Sequence, residues 1–198
     1  MTSIRNNATH GNGRFLDAAR EVILTVGWKR ATVTDVARIA EVSRMTVYRT
    51  YPDMQTILAE LMTREWVALI EQIVNDVDVD NDGWVDVIAR QFSAAVTALR
   101  ENELFRRIID VDPEQLLPYL IDRRGRSQDV IVGGLANRIS EAQATGEVRS
   151  SDPMLLARSL MLAAHGFAIS VHTMAADGLT QSDFDTELTA LVRRYLAP

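Results

Sequence analysis

The chain has 198 residues, of which 47% are hydrophobic and 24% charged, with a net charge of −6 and no cysteine. Such a composition can bury a core, in one large domain or a small one beside a medium one. It excludes disulfides, thiolate metal sites and cysteine nucleophiles, and the acidic total excludes a generally basic nucleic-acid binder.

The charge is uneven: residues 1–60 hold eight Lys/Arg against six Asp/Glu, so the acidity belongs to the remainder. Met1–Arg14 is polar and lacks the apolar core of a secretion signal. No run of about 18 apolar residues reads as a bilayer crossing. Together these predict a cytoplasmic protein with no membrane partner. No segment alternates as a half-buried strand does, whereas a 3.6-residue period recurs, which predicts an all-α fold of about nine helices.

Residues 1–9 read as a flexible arm, and 10–70 and 71–198 as two domains. In the first helix Phe15, Ala18, Ala19, Val22, Ile23 and Val26 share a face, and Gly27 ends it as a left-handed cap. Thr32 and Asp35 have capping-box spacing, opening a helix with Val33, Val36, Ala37 and Ala40 on one side. Ser43 is a good N-cap for a third, very short helix. Pro52 is placed to open a fourth, striped by Leu58, Met62, Trp66, Leu69 and Ile73.

The segment DVDVDNDG at 76–83 resembles a calcium loop until its twelfth position is counted. That position falls on Val87 or Ala89 where a glutamate is required, so the segment reads as an acidic solvated linker. Helices then follow over 84–100, 102–111, 114–122, 126–145, 153–176 and 182–196, punctuated by Asp112-Pro113, Gly125, Gly146 and Gly178.

The stretch VSRMTVYRTY, 42–51, carries the functional signal. Two helices joined tightly at Glu41-Val42 and packed on a longer first helix form a helix-turn-helix. On a helical wheel Arg44, Met45, Tyr48 and Arg49 fall within one arc and Val47 lies opposite. A merely solvated face would favour Glu and Lys. Arg, Thr and Tyr instead suit phosphates and base edges.

TVTDVARIAEVSRMTVYRTYPDMQTIL resembles the helix-turn-helix signature of the tetracycline-repressor (TetR) family of transcriptional regulators. The correspondence runs through Thr32–Ala37, Val42-Ser43, Thr46-Val47-Tyr48 and Tyr51, and covers about the first 60 residues. It implies a DNA-binding set of Thr32, Thr34, Ser43, Arg44, Met45, Thr46, Tyr48, Arg49 and Tyr51. Within that set Thr34 and Tyr48 would meet phosphate, and Ser43 would cap the recognition helix. Arg44, Met45 and Thr46 would reach base edges, Arg49 would meet backbone or bases, and Val47 with Tyr51 would seat the helix on the core. Three positions depart from the family pattern: Glu41 replaces the turn glycine, Met45 a small residue, and Met54 the lysine that begins helix 4. The N-terminus of that fourth helix still offers N–H groups to a phosphate.

Helix 153–176 is apolar on two sides, one for its own subunit and one for a partner. With the last helix it predicts a four-helix homodimer interface at Leu162, Gly166, Ile169, Leu188, Val192 and Tyr195. A two-fold dimer spans half-sites about 34–36 Å apart. Phe92, Phe105, Tyr119, Met161 and His165 are candidate walls of a cavity for a small, largely apolar inducer. His165 and His172 lack further ligands at metal-binding spacing, so no metal and no cofactor is expected. No nucleophile elbow or phosphate-cradling loop occurs, so no enzyme is expected either. The sequence thus reads as a dimeric, ligand-responsive DNA-binding regulator, most simply a repressor released from its operator. The alternative is a helical ligand-binding or scaffold protein with a degenerate head.

Overall fold

The computed structural model describes residues 3–75 and 83–198, and side chains from Gly13 to Val74 and from Gly83 onward. The segment read as an acidic linker therefore lies, but for Gly83, outside the described residues. Among these there are ten α-helices, one short 3-10 turn and no strand. The helices are α1 (Ser3–Val26), α2 (Val33–Ile39), α3 (Arg44–Tyr48), α4 (Met54–Asn75), α5 (Trp84–Glu101), α6 (Glu103–Val111), α7 (Leu117–Ile121), α8 (Arg126–Ala144), α9 (Pro153–Met174) and α10 (Gln181–Leu196).

Two compact units divide the chain. The first is Met1–Glu65 with Glu103–Ser127, and the second is Trp66–Asn102 with Gln128–Pro198. The sequence boundary at 70/71 differs from this: the break falls inside α4, and α6 and α7 group with the N-terminal helices. The cause is long-range packing of α6 on α1, which no local pattern announces. Helix α1 begins at Ser3, within the stretch read as an arm. Extending an already anchored helix adds a hydrogen bond per residue without a new nucleation cost.

In the first unit α1 buries Phe15, Leu16, Ala18, Ala19, Val22 and Ile23, the stripe its periodicity predicts. Val33, Val36 and Ala37 of α2 and Val47 of α3 are likewise buried. Gly27, with φ +90°, ends α1 as expected. The Thr32 side chain accepts the Asp35 N–H, and that of Ser43 accepts the Thr46 N–H, each at 3.2 Å. Helix α4 is opened by Asp53 rather than by Pro52: the Asp53 carboxylate accepts the Thr56 N–H at 2.7 Å.

The C-terminus of α2 is a Schellman motif. Val42 N–H bonds to the Ala37 carbonyl at 2.9 Å and Glu41 N–H to the Arg38 carbonyl at 3.2 Å. Glu41 occupies its left-handed position, with φ +53°. The end of α8 makes the same pair of bonds, from Glu147 to Ala142 and from Gly146 to Gln143, with glycine at that position.

In the second unit α5 packs chiefly on α10, and α9 packs on both. Val87, Ile88, Val96, Leu156, Leu160, Leu188, Val192 and Leu196 are buried, each contributing roughly 1.5–3 kcal/mol of transfer free energy. Arg100 forks onto both oxygens of Asp185, at 3.0 and 2.7 Å, tying α5 to α10. The burial of Leu188 and Val192 corrects their assignment to a dimer interface, because both are spent within their own subunit. A stripe of apolar residues does not say which chain it meets.

Helix α9 also corrects the reading that no stretch could cross a bilayer: its length and apolarity suffice. It nonetheless packs on α5 and α10 through Leu156, Ala157, Leu160, Ala168 and Val171. Its other face leaves Leu155 and Leu162 exposed, the latter by 71%.

Candidate nucleic-acid interface

Helices α2 and α3 pack together, and α2 packs on α1. Only five residues long, α3 is anchored by Val47, which is completely buried. Around it Arg44, Met45, Thr46, Tyr48 and Arg49 are exposed, Met45 by 69% and Tyr48 by 45%. Such a helix gains almost nothing from intrinsic propensity and depends on its cap and its anchor. It therefore presents guanidinium, phenol, hydroxyl and thioether groups on a fixed frame.

Hydroxyls at the start of α2 and α3 are engaged locally. Thr32 Oγ1 both accepts the Asp35 N–H and donates to the Asp35 carboxylate. Ser43 Oγ lies 2.9 Å from Thr46 Oγ1. Thr34 is exposed on the first turn of α2, and its hydroxyl receives Arg44 Nη1 at 3.5 Å. Eight of the nine residues of the expected DNA-binding set, Tyr51 excepted, thus lie exposed on the two short helices or at their caps.

Tyr51 takes the seating role expected of it, and its place in the DNA-binding set is corrected. It is only 2% exposed, stands edge-on to Phe15 with ring centroids 6.3 Å apart, and donates its hydroxyl to Glu60 at 3.0 Å. Burial, and then the bond to Glu60, push its phenol pKa well above the ordinary value. Tyr51 therefore seats α3 and has no surface to offer DNA. A second correction concerns the start of α4. The Thr56 N–H there is taken by Asp53, whose carboxyl is held below its usual range by the bonds from Thr56. A phosphate approaching that end would meet a carboxylate.

The effector candidates are divided between the units. Phe105 and Tyr119 belong to the first, whereas Phe92, Met161 and His165 belong to the second. Phe105 is buried and the other four are half-buried. His165 Nε2 lies 3.0 Å from Gln128 Nε2, and burial lowers its pKa. An open cleft of about 640 Å³ beside the helix-turn-helix is lined by Gly13, Arg14, Asp17, Glu21, Ile39 and Glu41, and by none of those five. Sequence reasoning passed over the roles of Arg107, Asp112 and Glu114, which lie in the first unit on α6 and the turn after it and reach Thr25 and Lys29. An Asp directly ahead of a proline was the available signal.

A family model described as "Bacterial regulatory proteins, tetR family" matches residues 15–61, the segment that holds α2 and α3. An uncharacterized HTH-type transcriptional regulator of Mycobacterium tuberculosis is 33% identical over 196 residues, spanning 99% of this chain and 100% of the relative. The chain belongs to the tetR family. This TetR-family transcriptional regulator shares its fold with far more distant proteins. A Rhodococcus sp. RHA1 protein superposes with a TM-score of 0.67 at 20% identity, over 95% of this chain and 96% of that one. SmeT, solved as a triclosan complex, gives 0.63 at 18% identity, over 96% and 92%. The family membership accounts for the helix-turn-helix and for the all-helical layout behind it.

Proposed function

We propose that this regulator acts as a cytoplasmic two-fold homodimer. In it α3 of each subunit enters a major groove through Arg44, Met45 and Thr46, while Thr34, Tyr48 and Arg49 meet the backbone. The observation that carries this reading is the division of α3 into one buried anchor, Val47, and an otherwise exposed polar and thioether face. The subunits meet through the stripe of α9 made by exposed Leu155, Leu162 and Gly166 and half-buried Ile169, joined by Leu191 of α10, which is also exposed. This replaces Leu188 and Val192 in the interface and leaves Tyr195 at its edge.

The regulator is a repressor, released when a small, largely apolar molecule binds the helical body; triclosan bound to SmeT is a precedent for that ligand class in this fold. Helix α4 contributes to both units and is the lever. A ligand shifts the balance of states only by its differential affinity for them, and a preference of about 2–3 kcal/mol releases DNA.

The test is to select duplexes from a random library with the full-length protein, then titrate the winner at several salt concentrations. A regulator gives a sequence-dependent complex that weakens steeply with salt. Alanine at Arg44, Thr46 and Tyr48 together should abolish the sequence dependence in a folded protein. Undiminished selection by that triple variant would remove α3 from the interface.

A further inference from the structure

We infer that Asp112 is a positioning residue of the DNA-binding head: its buried carboxylate holds the α1–α2 turn and thereby the start of α2. The inference rests on the proposed function and names a part of that same machinery. Four side chains from one stretch reach the C-terminal half of α1 and the turn beyond it. Glu103 accepts from Arg20 at 3.1 Å, and Arg107 Nη2 donates to the Thr25 carbonyl at 3.1 Å. Asp112 Oδ2 accepts the Lys29 N–H at 3.3 Å, and Glu114 lies 3.6 Å from Lys29 Nζ.

Exposure ranks them. The Arg20–Glu103 and Lys29–Glu114 pairs are open to water and count for little. Asp112 is only 7% exposed, and a buried carboxylate that loses its donor is left with an uncompensated charge.

Two further observations show that this carboxylate is directed at the turn. Asp112 is the residue before the 3-10 turn Pro113–Gln115, where an aspartate ordinarily caps its own turn. Here it makes no such bond, and Oδ2 goes to Lys29 instead. Opposite it, a Cβ on Gly27 would lie 2.6 Å from Asp112 Oδ2 and 3.1 Å from Val111 Cγ1. Gly27 is therefore required twice, for its φ of +90° and for the close approach of the carboxylate. The turn runs from Gly27 directly into Thr32, the cap of α2. The first turn of α2 carries Thr34, which receives Arg44 of α3. Displacing the turn displaces both elements that face DNA.

The experiment uses full-length D112A, D112N and G27A, and the double variant G27A/D112A. Each is titrated against the duplex that the wild-type protein selects from a random library, and amide exchange is followed at Lys29 and Ala31–Val33. D112A should bind about tenfold more weakly, the scale of one hydrogen bond to a charged group, with faster exchange at Lys29. D112N retains an acceptor and should restore most of both. G27A should weaken binding less in the D112A background than in wild type, since the clash with the carboxylate is gone. A D112A protein with wild-type affinity and wild-type protection at Lys29 overturns the inference, as does strict additivity of the two substitutions. If D112A does not fold, D112N decides: loss of affinity with no change in exchange refutes the clasp. Should wild type select no duplex at all, the proposed function fails, and the exchange data judge the clasp alone.

Discussion

Replacing Glu41 by glycine should make this protein more stable. Glu41 sits at the left-handed position of the α2 Schellman motif with φ +53°. An L-residue there costs roughly 1–2 kcal/mol from contact of its Cβ with the following carbonyl. Glycine removes that cost but loosens the unfolded chain by about 0.4–1 kcal/mol. The balance is a gain of about 0.5–1 kcal/mol, or roughly 1–4 °C in midpoint for a chain of this size. Thermal unfolding followed by circular dichroism measures it. Alanine at the same site separates strain from charge, because it loses the carboxylate yet keeps the Cβ. E41A should therefore gain nothing in stability, while both variants bind duplex more tightly as a negative charge leaves the turn. If E41A rises in midpoint as far as E41G, the lost carboxylate and not backbone strain is the cause.

L162E should place a charge on the exposed stripe of α9, giving monomers by light scattering at micromolar concentration and a large loss of duplex affinity. A dimer of unchanged stability would move the interface elsewhere. Y51F removes the hydroxyl bonded to Glu60 but keeps the edge-on contact with Phe15. Denaturant unfolding should show a loss of about 1 kcal/mol, and an unchanged midpoint would mean the bond contributes nothing. His165 has its pKa lowered by burial, so the unfolded chain binds its proton more readily. The resulting stability is fully present above the ordinary histidine value of about 6.5 and is lost as pH falls through the lowered one. H165Q should flatten the midpoint-against-pH curve below about pH 6.5, and an identical slope in both proteins would contradict the shift.

The local grammar of the chain was legible because caps and periods are local. Thr32, Ser43 and Gly27 each sit where their chemistry predicts. The apolar stripe of α1 is the buried one. What could not be read depends on residues distant in sequence. Leu188 and Val192 look alike whether they meet their own subunit or another. Tyr51 could be assigned to the core side, but not its partners there, Phe15 and Glu60. Asp53 takes the cap expected near Pro52 because its carboxylate reaches Thr56. The helix-turn-helix was thus visible as a motif together with its cap and anchor, whereas the groups that reach the turn ahead of it from residues 103–114 were not.

The grouping of residues 103–127 with the N-terminal helices bears on how the protein is made. The bond from Lys29 to Asp112 links residues 83 apart in the chain. Translation proceeds at about 5–20 residues per second, so an interval of roughly 4–17 s separates emergence of the two. During that interval α1 to α3 have emerged without the segment that fastens their turn. A nascent chain stalled before residue 112 would carry that turn without the carboxylate that accepts its Lys29 N–H.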